Sequence, residues 1–208
     1  MNENVKDVPW WGAVSAAAAP LLLIAGITVA SQLQPPQFNA LHNTVSALAG
    51  QGAADRWVMT FTFAVVAACE ILTALALRPA SWPGRVVLVA AGFAGAMVAV
   101  FPERLGGSLI HAFWAGAGFG ALMFWPALAW RRGPGVPWAL RPVACAVACA
   151  ALSALLIWFA VEEAVRGGQM GLSERALGVT QTFWPLLVVF SCRRHRSGEV
   201  PAVDVAPM

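Results

Sequence analysis

"WGAVSAAAAPLLLIAGITVASQL", residues 11–33, runs for twenty-three positions without a charged side chain. A hydrocarbon layer about 30 Å thick is crossed by roughly 20 helical residues, so this stretch is long enough to span a bilayer. Five further apolar runs follow at 57–77, 86–101, 109–130, 142–161 and 176–192. The 208-residue chain is 59% hydrophobic and 11% charged, more apolar surface than a water-facing domain of this length can hide. The short alternating strands of a membrane barrel are absent. The sequence therefore predicts an all-α polytopic membrane protein. Six transmembrane helices form one bundle over 1–192, and a basic, then disordered, cytoplasmic tail follows over 193–208. Thr28-Val29-Ala30 loosely suits a signal peptidase. The apolar stretch before it is too long for an ordinary signal, and Lys6 is the only basic residue ahead of it.

Charge sets the expected orientation. Nine of the thirteen Lys and Arg residues fall on the side of both termini: Lys6, Arg78, Arg85, Arg131, Arg132, Arg141, Arg193, Arg194 and Arg196. Arg56, Arg104, Arg166 and Arg175 fall on the other. Basic residues collect at cytoplasmic ends, so both termini should be cytoplasmic in a multi-pass protein of the cell membrane. The cluster Arg193-Arg194-His195-Arg196 reads as a topology signal facing anionic lipid, which gives no reason to expect a nucleic-acid partner.

The connections on the two sides differ. "RPASWPGR" (78–85) and "RRGPGVPWALR" (131–141) are made of turn residues. The opposite side holds "FNALHNTVSALAGQGAADRW" (38–57), "FPERLGGSLIH" (101–111) and "EEAVRGGQMGLSER" (162–175), with five of the ten acids and two of the three histidines. Residues 42–49 are helix formers without proline, ended by Gly50 and Gly52, so a short interfacial helix is expected there. His42, Val45, Ser46 and Ala49 would share one side of it. Asp55 should cap the helix that starts at Trp57.

Within the apolar runs the informative residue is Glu70. A carboxylate at that depth is costly unless protonated or paired, which places it inside the bundle. It could act as a buried proton donor, or it could hydrogen-bond Thr180 or Gln181 across helices. Glu103, His111 and Glu162 are the other candidate catalytic groups, with His42, Ser46, Trp114, Gln181 and Trp184 as candidate substrate-binding residues. Gly116 and Gly120 in "GAGFG" have the spacing of a close helix crossing. Cys69, Cys145, Cys149 and Cys192 lie in or beside apolar runs and read as packing residues, with no disulfide framework. Tyr is absent against ten Trp and eleven Phe. Six of the Trp belong to interfacial belts, and deeper ones such as Trp114 and Trp184 could present π faces to a cation.

"HNTVSALAGQGAADRWVMT" (42–60), "VFPERLGGSLIHAFWA" (100–115), "WPALAW" (125–130) and "ERALGVTQTFWPL" (174–186) resemble a bacterial integral-membrane family, common in actinobacteria, known only as domain of unknown function 998. The resemblance spans nearly the whole chain and implies a six-helix bundle, with no established reaction. The layout of Ser, acid and His on several helices is also similar to the zinc hydrolases related to alkaline ceramidases. Their three-histidine site has only His42 and His111 here, with Glu103 available as a third donor and His195 on the opposite side. The buried acid and aromatic walls look like those of small membrane-bound terpene cyclases.

These observations leave open an enzyme and a non-enzymatic binding or assembly protein. In either case the expected partners are membrane lipid and a lipophilic small molecule. The sharpest enzymatic reading is acid-initiated isoprenoid cyclisation, terpene or meroterpenoid, which makes the chain an isomerase or lyase. Glu70 or Glu103 would protonate an alkene or epoxide, and His111 or Glu162 would take the final proton. That reaction calls for no cofactor and no metal. A zinc-dependent lipid hydrolase is the enzymatic alternative.

Overall fold

The computed structural model describes residues 7–105 and 107–198. Among them there is no strand. The elements are α1 (Trp10–Gln32), α2 (Val45–Ala49), α3 (Trp57–Ala76), α4 (Trp82–Val100), α5 (Leu109–Ala129), a 3₁₀ turn (Trp138–Leu140), α6 (Pro142–Val165) and α7 (Met170–Gly198). Five helices, α1, α3, α4, α5 and α6, are each long and apolar enough to cross a membrane. Helix α7 is the longest and carries more polar residues, among them Ser173, Glu174, Arg175 and Gln181.

The long helices close into a ring. Helix α1 packs on α3 and α7, α3 on α4, α4 on α5, α5 on α6, and α6 on α7. Large apolar side chains point outward: Leu21, Phe61, Val143 and Ile157 are all more than three-fifths exposed. With no water-facing polar shell over these helices, hydrocarbon is the solvent that satisfies them. The chain is a multi-pass helical membrane protein.

Caps explain several boundaries. The expected third run began at residue 86, but α4 starts at Trp82 because the Ser81 side chain accepts from the Gly84 amide. The same hydroxyl donates to the Leu128 carbonyl and so ties α4 to the end of α5. Arg85 donates to the Ala74 and Leu75 carbonyls, 3.0 Å each, closing the C-terminus of α3. Two expectations do not hold. The short helix begins at Val45, after a Thr44 cap that accepts from the Ala47 amide at 3.0 Å, so His42 lies in a preceding turn. Asp55 is no side-chain cap for α3; it takes a left-handed conformation (φ 46°), and its carbonyl accepts from Val58. At the far end α7 continues as helix through Gly198, two residues into the stretch 197–208 where disorder is expected, and 199–208 lie outside the described residues.

The close helix crossings also lie elsewhere than the GAGFG spacing predicts. A side chain at Gly116 or Gly120 would meet nothing within 4 Å. Gly118, between them, faces Ala94 at 3.5 Å, and it is this helix face that packs on α4. The tightest approach in this region is at Gly84, where a Cβ would stand 2.7 Å from the Ala129 backbone nitrogen. Gly84→Val should therefore cost on the order of 2 kcal/mol or more by overpacking. Gly116→Ala should gain about 0.5–1 kcal/mol of helix stability. Thermal unfolding of the two variants in detergent checks both, and equal midpoints would refute this account of the crossing.

Candidate functional site

Glu174 lies in the first turns of α7, ahead of the apolar run that begins at residue 176, and is 4% exposed. Its carboxylate accepts from the Val45 amide at 2.5 Å, from the Ser46 amide at 3.4 Å and from the Ser46 hydroxyl at 2.8 Å. Those amides are the first two of α2, donors that a helix leaves unpaired. A carboxylate from a distant helix thus completes the cap that Thr44 begins. Arg175 adds a second tie, donating through Nη1 to the Asn43 carbonyl at 2.8 Å. The Leu172 amide donates to the Leu41 carbonyl at 3.2 Å. Gly171 permits this approach, since a Cβ there would stand 2.6 Å from the Ala40 carbonyl oxygen.

Beneath α2 lies a cavity of about 110 Å³ lined by α1, α3, α4, α5 and α7. Val45 and Ser46 form its outer end, beside Glu174 and Arg175. Deeper in the bundle it is lined by Glu70, Gln181 and Thr182. Its walls are apolar and aromatic, with Phe63, Trp114 and Phe119 among them. Trp114 is held by edge-on contacts to Phe93 and Phe113, ring centroids 5.7 and 5.1 Å away. Glu70 is 5% exposed, and its carboxyl has no hydrogen-bond partner among the described residues. Gln181 is fully buried and donates through Nε2 to the Phe119 carbonyl at 2.9 Å. Gln181 and Glu70 line the same space without bonding to each other, and Thr180 lines a separate groove between α6 and α7.

The other expected site residues lie apart from this cavity. Trp184 packs on Trp138, centroids 6.4 Å apart, and lines the α6–α7 groove. His42 is exposed. Glu162 accepts from the Gln169 amide at 2.8 Å and so shapes the turn between α6 and α7. His111, 5% exposed, donates through Nδ1 to the Phe101 carbonyl at 2.9 Å, which leaves Nε2 buried without a partner. Glu103 lines an outer hollow of about 410 Å³ together with Asn43, Ala47 and Gly50. Its carboxyl is pushed above the usual range by burial, an effect that His111 opposes and Glu163 reinforces. Helix α2 therefore has the outer hollow on one side and the central cavity on the other.

Among the described residues no three His, Cys, Asp or Glu side chains converge to hold a metal ion. Cys145 and Cys149 point instead to the backbone carbonyls of Ala139 and Met123. What sequence reasoning missed is the role of Glu174 as the clamp on α2. The one available signal was a charged pair directly before an apolar run; its partner 129 positions earlier has no local signature.

Residues 16–191 match the family model described as "Protein of unknown function (DUF998)". The chain belongs to this family. The matched segment contains both halves of the clamp, Val45–Ser46 and Glu174, and every side chain named as lining the cavity. No curated protein and no solved structure matches the chain.

Removing the Glu174 carboxylate orphans two amides, each worth about 1–3 kcal/mol when left unsatisfied. Glu174→Ala should lower the thermal midpoint and speed hydrogen exchange at residues 44–49, with exchange in α3 and α4 unchanged. Glu174→Gln, which keeps one acceptor oxygen, should lose less. Unaltered exchange at 44–49 in Glu174→Ala would contradict the clamp.

Proposed function

We propose that this DUF998 protein binds a lipophilic small molecule in the cavity beneath α2. The supporting observation is the Glu70 carboxyl: buried at mid-helix, turned to an apolar and aromatic hollow, and without a protein partner. A lone acid in hydrocarbon is costly to keep for structure alone, and such groups mark ligand or proton sites. In this reading the chain crosses the cell membrane six times, with residues 176–192 of α7 as the sixth span. Both termini are cytoplasmic, and α2 lies at the outer interface. The distribution of arginines supports that orientation. A membrane-impermeant thiol reagent applied to intact cells should label Arg104→Cys and leave Arg132→Cys unlabelled until the cells are opened. The reverse pattern would invert the protein.

A second, catalytic reading is favoured by one further observation, that Phe63, Trp114 and Phe119 face the same hollow as Glu70. Glu70 would add its proton to an alkene or epoxide of an isoprenoid chain, and the π faces would stabilise the cation formed. Loss of a proton from the cyclised cation would restore the acid.

Mass spectrometry of organic extracts separates these readings. Wild-type protein in lipid nanodiscs should retain a lipophilic compound that Gly95→Leu, which fills the cavity, lacks. Gly116→Ala should retain it too. Identical extracts from wild type and Gly95→Leu would remove the binding reading. If Glu70→Gln retains an uncyclised compound where wild type yields its cyclised isomer, the acid is catalytic; the same compound in both makes the site a binding site only.

A further inference from the structure

The hydrogen-bonding capacity left over in the cavity is one-sided. The Gln181 Nε2 donates to the Phe119 carbonyl, which fixes the amide so that its other atom is the carbonyl oxygen. That oxygen is buried and has no partner. The Thr182 hydroxyl spends its proton on the Val179 carbonyl at 2.9 Å. Glu70 adds two acceptor oxygens, both without a protein donor. Among the Glu70, Gln181 and Thr182 side chains every uncommitted polar atom accepts, apart from whatever proton Glu70 itself carries. The aromatic walls carry negative π faces, which likewise favour positive charge.

The outer end differs. Glu174 is committed to α2, and Arg175 keeps a buried Nη2 with no partner. Glu174 and Gln181 are seven residues apart on α7, a rise of about 10 Å. The only other charged groups lining the cavity therefore stand about two turns from Gln181 along α7, and of the two only the arginine keeps an unpartnered atom, Nη2. A ligand suited to this pattern places its donors deep and nothing cationic beside Arg175.

We infer that the cavity selects a lipophilic amine, its nitrogen directed to the Glu70 carboxylate and the Gln181 carbonyl oxygen and its hydrocarbon against the apolar wall. This rests on the proposal that the cavity binds a lipophilic molecule and names the class. Entry needs no net charge to cross hydrocarbon. The amine arrives neutral, and the Glu70 carboxyl transfers its proton to the nitrogen, so one O–H bond breaks as one N–H bond forms. The resulting ion pair is flanked by a further acceptor and by aromatic rings. An alkanol donates a single hydrogen bond and leaves the second acceptor unpaired. A fatty acid brings a second carboxyl against Glu70, where two like charges cannot share the site.

Purified protein in detergent is heated with n-decylamine, 1-decanol or decanoic acid at matched concentrations. Decylamine should raise the thermal midpoint saturably, with an apparent affinity at least tenfold above that of decanol, and decanoic acid should give no shift. Glu70→Gln should weaken the amine response at least tenfold and bring it level with decanol. Should Glu70→Gln fail to fold, Gln181→Leu serves, with a smaller loss confined to the amine. Equal shifts by all three compounds, lost in Gly95→Leu, would leave the lipophilic cavity standing and overturn the amine preference. An amine shift that survives unchanged in Glu70→Gln overturns it also. Absence of any shift that Gly95→Leu abolishes would overturn the cavity reading together with the amine.

Discussion

A polar group carried inside an apolar ring of helices must find its partner within the protein, because hydrocarbon offers none. Most of the polar side chains in the bundle obey this constraint. Ser15 and Thr73 bond to each other at 2.9 Å where α1 crosses α3. Thr62 returns its proton to the Val58 carbonyl, and Ser191 accepts from the Ala139 amide at the 3₁₀ turn. Glu174 meets the open amides of α2. Among the groups left without a partner, Glu70 and the Gln181 carbonyl oxygen line the same space.

The constraint also explains the layout around α2. Five residues are too few to hold a helix by themselves, since nucleation consumes the first turn for little return. The segment is held because the hydrogen-bond deficit of its N-terminus is met: Thr44 serves Ala47, and Glu174 serves Val45 and Ser46. Its apolar face, Val45, Leu48 and Ala49, packs under α1 and α3 with Ile27 and Met59. The central cavity thus owes its outer wall to a carboxylate on the last helix.

Legibility followed the range of the forces. Long apolar runs and turn-rich connections are local signals, and they placed the helices and the approximate extent of α2. Boundaries moved where a distant partner or a cap decided them, as Ser81 did for α4. Asp55 could be read as a cap from spacing alone, but the chain turns left-handed there and no side chain caps α3. Gly116 and Gly120 had the right interval for a helix crossing, yet interval does not give rotational phase, and Gly118 is the residue that faces α4. Glu70 could be assigned to the interior because burial follows from charge and depth. Trp114 and Gln181 could be named as candidates beside it, but Phe63 could not, since no local pattern encodes the rotation that turns one phenylalanine inward and another to the outside. Phe61 and Phe113, equally deep in their runs, face outward.

The separation between the two halves of the clamp bears on how the protein is made. Val45 and Glu174 are 129 positions apart, and at roughly 5–20 residues added per second the acid leaves the ribosome on the order of ten seconds after its partner. Until then the loop between α1 and α3 has emerged with the first amides of α2 lacking the carboxylate that pairs them. The seating of that loop is therefore a late event in biogenesis. A chain truncated before its final helix would carry an unroofed interior.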